Sequence, residues 1–206
     1  MLFSILTFGQ NGLVTTGLKG YYDVGVSGGY SGTTISNLAP SNEANKPGNI
    51  TLSGASVSSN GIYFDGVNDY ASFSDMLYRS GGTLSFWMKP TANGVNFDLF
   101  GSTTVSTEKN LEYRDGGSTA SFFAETDSNC NYFSSASFPE FYNQWNMVTV
   151  VFSNNKATWY INGTSVGAVS DYGYSNCTST VATELLTDFP ITTIGHTDIG
   201  YSNWYE

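Results

Sequence analysis

Charge is scarce in this sequence. Only 12% of its 206 residues are charged, against roughly 25% in an average globular chain. Basic residues are scarcer still, with 7 Lys and Arg against 17 Asp and Glu and a net charge of −10. Such a surface repels a phosphate backbone, which argues against nucleic acid as a partner, and disfavours anionic membrane surfaces for the same reason. No apolar run approaches the ~20 residues of a membrane-spanning helix, so membrane insertion is not expected. Cysteine is nearly absent. Cys130 and Cys177 form no CxxC, cannot make a zinc site alone, and either pair as a staple between two loops or stay free. The single histidine, His196, would have to serve any Ser–His–Asp triad, yet no G-x-S-x-G elbow accompanies it. Good helix formers are few, so a mostly helical protein is excluded.

What the chain has instead is aromatic and turn chemistry: 16% aromatic residues (14 Tyr, 14 Phe, 4 Trp) and 23 Gly. The dominant pattern is period-two alternation broken by Gly, Asn and Ser. Thr83–Lys89 places Leu84, Phe86 and Met88 on one face and Ser85, Trp87 and Lys89 on the other, and Pro90 ends the strand. Trp145–Phe152 holds Val148, Val150 and Phe152 in phase. Ala157–Ile161 follows a turn, and Asn162-Gly163 suits a type I′ turn that folds Thr164–Val169 back as the partner strand. Further strands are expected at Leu18–Val24, Ile50–Leu52, Gly61–Phe64, Tyr70–Phe73, Asp98–Phe100, Asn110–Tyr113, Ala120–Ala124 and Ile191–Ile194, with one short helix around Thr180–Leu186. Met1–Phe8 lacks a basic n-region and its apolar stretch stops at Gly9-Gln-Asn-Gly12, so residues 1–17 are expected to be an N-terminal strand or arm rather than a signal peptide. Residues 18–206 are expected to form one all-β domain, an antiparallel two-sheet sandwich.

Several segments carry a more specific likeness. Asn60-Gly-Ile-Tyr-Phe-Asp-Gly-Val-Asn-Asp-Tyr-Ala-Ser-Phe73 resembles the F-D-G-x-x-D-Y segment of laminin-G-like domains in the concanavalin A-like lectin/glucanase superfamily. Thr83–Pro90 resembles that family's S-F-W-hydrophobic-K-P strand, Trp145–Phe152 its W-x-x-V-x-V-x-F strand, Trp159-Tyr-Ile-Asn-Gly163 its W/Y-x-N-G hairpin, and Ile194-Gly195 a late I-G step. Gly20-Tyr-Tyr-Asp23 with Tyr30-Ser-Gly-Thr-Thr-Ile35 resembles the opening segment in the version common in bacteriophage and marine microbial structural proteins. The resemblance implies a jelly-roll sandwich over residues 18–204. Family members continue past the I-G step into a last strand, which is expected here to be missing or supplied otherwise, by a neighbouring subunit or by Met1–Phe8.

The glucanases of the superfamily use an E-x-D-x-x-E strand. The nearest approach, Glu125-Thr-Asp127, has Cys130 where the last carboxylate belongs, and Glu112 and Asp115 do not fit the pattern, so no catalytic residue is expected. Calcium is the cofactor the resemblance allows. By position Glu108, Asn110 and Asp198 fall where pentraxin-like ligands fall, and oxygen donors of this kind suit the ion. Asp65 and Asp69 are an alternative pair, though Asp65-Gly66 and Asn68-Asp69 read equally well as turn chemistry. Sugar binding would use aromatics in polar loops beside hydrogen-bonding groups, and Tyr30, Tyr132, Tyr172, Tyr174 and Trp204 have that setting. The same residues suit a protein–protein contact. Trp87, Trp145 and Trp159 lie within strands and are expected in the core. The sequons at Asn49, Asn162 and Asn176 read as chance in a chain this rich in Asn, Ser and Thr.

Together these features point to a non-enzymatic virion subunit, a capsid decoration or tail or fibre protein that assembles as a homo-oligomer with other surface subunits and contacts host glycans. The alternative is a calcium-assisted carbohydrate-binding module of a microbial surface protein, extracellular or at the cell surface.

Overall fold

The computed structural model describes residues 2–4, 16–40, 46–58, 60–77, 82–91, 97–101, 110–125, 132–153, 156–168, 170–171 and 190–195. Every regular element among the described residues is a β-strand, and they form two antiparallel sheets.

The smaller sheet runs β16 (Thr164–Ala168), β15 (Lys156–Ile161), β14 (Asn146–Ser153), β8 (Gly82–Lys89), β1 (Leu2–Ser4), β6 (Gly61–Tyr63) and β5 (Ser56–Ser58). Its centre follows the alternation. Phe86 and Met88 on β8, Val148 and Val150 on β14 and Trp159 on β15 are fully buried, while Ser85 and Thr149 bond to one another across the opposite face at 2.9 Å. β15 and β16 join through Asn162 (φ 50°) and Gly163 (φ 80°), the two left-handed positions of the expected type I′ turn. Asn162 also ties this turn to the start of β14. Its N–H donates to the Met147 carbonyl (2.8 Å), its Oδ1 accepts from the Met147 N–H (2.9 Å), and its Nδ2 donates to Asn146 Oδ1 (2.7 Å). β1 lies inside the sheet, pairing with β8 on one side and β6 on the other, so the chain's own first residues supply an interior strand.

The larger sheet runs β17 (Ser170–Asp171), β12 (Tyr132–Ser134), β11 (Thr119–Glu125), β10 (Asn110–Asp115), β9 (Phe97–Gly101), β18 (Pro190–Ile194), β7 (Tyr70–Leu77), β4 (Ile50–Ser53), β3 (Thr34–Ile35) and β2 (Tyr30–Ser31), with β13 (Phe138–Pro139) also on β11. Its inward face contributes Ile35, Ile50, Leu52, Ala71, Phe100, Leu111, Tyr113, Phe122 and Ile194 to the shared core. Aromatic pairs join the two sheets. Phe86 meets Phe100 edge-on at 5.1 Å, and Trp159 stacks on Phe122 at 4.7 Å and 13°. Each such buried side chain removes enough apolar surface from water to contribute about 1.5–3 kcal/mol.

Two expectations need correction. Leu18–Val24 is not a strand: Tyr21 donates its N–H to Asn37 Oδ1 (3.1 Å) and accepts from the Leu38 N–H, so a side chain replaces a ladder there. Asn37 Nδ2 further donates to the carbonyls of Lys19 and Pro47, so one amide holds three irregular segments together. Of Trp87, Trp145 and Trp159, only Trp159 is core. Trp87 and Trp145 are half-buried, Trp87 standing on the outer face that the alternation of β8 gives it. The expected helix over Thr180–Leu186 and both cysteines lie outside the described residues.

Candidate functional site

The larger sheet's outer face carries the polar chemistry. On β10, Leu111 and Tyr113 point into the core, so Glu112 and Arg114 face outward. On β9 the ladder pairs Leu111 with Phe100 and then Glu112 with Asp98, which leaves Leu99 as an extra residue, fully buried. This bulge turns Asp98 to the outward side opposite Glu112. Asp98 is 7% exposed and Glu112 8%, and Arg114 Nε donates to Glu112 Oε2. The Arg114 side chain is 35% exposed, so its charge reaches from a sunken carboxylate to the surface.

Register extends this patch across the sheet. One continuous row runs Thr34–Thr51–Ser72–Thr193–Gly101–Asn110–Glu125–Tyr132, over β3, β4, β7, β18, β9, β10, β11 and β12, and at its centre Thr193 and Gly101 are buried. Beside it lies a second row, Asp98–Glu112–Phe123–Ser134. Two residues singled out from the sequence, Asn110 and Tyr132, thus share a row two strands apart, a spacing of about 10 Å. Tyr30 is 44% exposed but sits on β2, at the far end of the same sheet, eight strands from β12. It does not join Tyr132. Tyr172, Tyr174, Trp204, Glu108 and Asp198 lie outside the described residues. Sequence reasoning set Glu112 aside and missed Asp98, because their pairing arises across a bulged ladder and not from spacing along one strand.

The alternative cation pair, Asp65 and Asp69, closes its own loop. Asp65 Oδ1 accepts from the N–H groups of Val67 (2.8 Å) and Asn68 (3.3 Å), and Asp69 Oδ2 accepts from the Asp65 N–H (2.9 Å). The Val67 N–H holds the Asp65 carboxyl below its ordinary range, the stabilised form being the charged one. Gly54, at φ 78°, leaves the room Asp69 needs, since a Cβ there would come within 2.0 Å of Asp69 Oδ1. These carboxylates serve turn chemistry and do not fit a cation.

A second titratable cluster lies at the β10–β11 turn. Asp115 is buried, and its Oδ1 accepts from the Gly117 N–H at 2.7 Å. Glu140 hydrogen-bonds to Asp115, and burial followed by the Asp115 charge pushes its carboxyl above its ordinary value. Tyr113, packed 5.4 Å from Phe141, has its hydroxyl pushed upward by burial and then by Asp115.

Two antiparallel sheets packed face to face over an aromatic core define a lectin-like β-sandwich. The chain belongs to the concanavalin A-like lectin/glucanases superfamily, a laminin G family model of which matches residues 64–195. No curated protein matches it. Among solved structures it is similar to botulinum neurotoxin type C, described by its interaction with two ganglioside molecules (TM-score 0.45, 13% identity, covering 84% of this chain and 39% of that one). It is also similar to the apo Crh5 transglycosylase (TM-score 0.45, 13% identity, 80% of this chain and 68% of that one). The same enzyme in complex with NAG gives a TM-score of 0.41 at 14% identity, over 69% and 60% of the two chains.

Proposed function

We propose that this domain recognises glycans on the outer face of its larger sheet without transforming them. The observation that carries this reading is the Asp98–Glu112–Arg114 group, in which a guanidinium that reaches the surface is bonded to a sunken carboxylate, on the same face as the outward hydroxyl positions Thr34, Thr51 and Ser72. A sugar presents neighbouring hydroxyls that exchange hydrogen bonds with fixed carboxylates and a guanidinium, and an aromatic ring covers its apolar face. Glycoside hydrolysis needs one carboxyl as proton donor and one as base or nucleophile. Glu112 receives a guanidinium hydrogen bond, which suits a fixed acceptor rather than a donor. Calcium enters this proposal through Asn110, a row residue, together with Glu108 and Asp198.

The test is a glycan array read with calcium and with a chelator, on the chain and on Arg114→Gln. A hit weakened at least tenfold by Arg114→Gln, at unchanged melting temperature, is the expected result. Release of reducing ends from any bound glycan would convert the reading to a hydrolase.

The narrower form of the proposal places the domain on a virion as a decoration, tail or fibre subunit that meets host glycans, with an extracellular or cell-surface module as the alternative. What supports it is the bacteriophage-like form of the opening segment and the low charge. Sedimentation of the purified chain tests it: a closed homo-oligomer is expected, and a monomer at all concentrations counts against assembly.

A further inference from the structure

The opposite outer face, that of the smaller sheet, has a different composition. Its seven strands contain no Asp or Glu, although the chain has 17, and their only charged residues are Lys89 and Lys156. Alternation directs Tyr63, Trp87, Lys89, Met147 and Tyr160 outward, since Ile62, Met88, Val148 and Trp159 beside them are buried. Tyr63 is 41% exposed.

Register fixes where these rings stand. Tyr63 on β6 lies opposite Leu2 of β1, which lies opposite Lys89 of β8. Tyr160 on β15 lies opposite Thr149 of β14, which lies opposite Ser85 of β8. Trp87 is midway between Lys89 and Ser85. Each tyrosine is therefore two strands and two residues from Trp87, in opposite directions, and the three rings mark one diagonal at steps of about 12 Å from the usual strand spacing and rise. Sheet twist turns the strands but leaves this register intact. The Ser85–Thr149 hydroxyl pair lies between Trp87 and Tyr160, Met147 lies opposite Trp87, and Lys89 stands beside the diagonal between Tyr63 and Trp87.

We infer that this face binds a second ligand, an extended acidic polysaccharide, with alternate sugar rings against Tyr63, Trp87 and Tyr160 and a carboxylate on Lys89. Regularly spaced flat rings match a linear polymer rather than a compact branched glycan, because each ring offers a stacking platform at a fixed step. Charge complementarity selects the acidic kind. On a molecule of net charge −10 this face holds Lys89 and its strands hold no carboxylate, so it is where an anionic chain is attracted rather than repelled. The site is separate from the glycan face proposed above, which belongs to the other sheet.

Affinity electrophoresis in gels containing alginate, a linear polyuronate, or a neutral soluble cellulose derivative tests the assignment. The chain should be retarded by alginate at low salt and less by the neutral polymer. Tyr63→Ser and Tyr160→Ser should each weaken retardation roughly five- to tenfold, the scale of one lost ring contact, at unchanged melting temperature. Lys89→Gln should remove the preference for alginate. Arg114→Gln, on the other sheet, should leave alginate retardation intact even where it abolishes the glycan-array signal. No retardation by alginate, equal retardation by both polymers, or loss on Arg114→Gln alone overturns the inference. Self-association of the chain that Tyr63→Ser and Tyr160→Ser abolish, without alginate binding, would assign the face to a second copy instead.

Discussion

At the scale of single residues, the largest side chain in the core makes the clearest stability prediction. Trp159 is fully buried and stacked on Phe122, and its Nε1 has no hydrogen-bond partner among the described residues. Its contribution is therefore area and stacking, not polarity. Trp159→Ala should cost about 3–5 kcal/mol in denaturant unfolding, the range for removing a large core aromatic. Trp159→Phe keeps a ring against Phe122 and gives up no hydrogen bond, so its cost should be much smaller. Equal costs would show that the indole N–H has a partner after all. Glu140 makes a pH prediction of definite sign. Its carboxyl is raised in the folded chain by burial and by Asp115, so its stabilising contribution is full below the ordinary glutamate value and fades as pH rises through the folded value. Asp65 works in the other direction. Its carboxyl is lowered by the Val67 N–H, so its contribution is present above the ordinary aspartate value and fades as pH falls through the lowered one. Glu140→Gln keeps a group able to hydrogen-bond to Asp115 but cannot ionise. Thermal melts from pH 4 to 8 should show the variant gaining on the parent as pH rises, and parallel curves would show that the Glu140 carboxyl is not raised in the folded chain.

At the scale of elements, the β15–β16 hairpin rests on two residues that do different jobs. Gly163 supplies a left-handed backbone at φ 80°, and Asn162 supplies both a left-handed backbone and bonds to the head of β14. Asn162→Ala loses the side-chain bonds and strains the backbone, and should cost about 1–3 kcal/mol. Asn162→Gly, which removes only the bonds, should cost less, and the two melts together separate the terms. This hairpin was readable in the sequence because Asn-Gly is a local signal, as were β8, β14 and β15, whose alternation reports one buried face. The loop from Asp65 to Asp69 was readable as turn chemistry for the same reason. What failed to read was non-local. Leu18–Val24 has a strand-like composition but is claimed by Asn37, a residue on another segment whose role no pattern announces. The candidate site was half legible. Asn110 and Tyr132 were picked for their residue type, yet the row that unites them, and the meeting of Asp98 with Glu112, depend on register and on the Leu99 bulge.

At the scale of the whole molecule, the two outer faces differ because each sheet spends its outward positions differently: carboxylates and a guanidinium on one, aromatics and lysine on the other. The two faces share a core, but the smaller one depends on a three-residue strand. Among the described residues β1 alone joins β8 to β6, so the Tyr63 end of that face is held to the Trp87–Tyr160 end through β1. Removing residues 1–4 would unpair the Trp87–Lys89 end of β8 on that side, and with it the facing edge of β6, exposing N–H and C=O groups. Two such open edges are templates for pairing with another chain. The truncated protein should therefore melt lower and form dimers or larger species in light scattering at concentrations where the full chain does not. Alginate retardation, which needs all three rings on one diagonal, should weaken, while binding on the larger sheet should persist. A truncated chain that melts, sediments and binds like the parent would show that β1 contributes nothing to the smaller sheet, and the diagonal would lose its Tyr63 end.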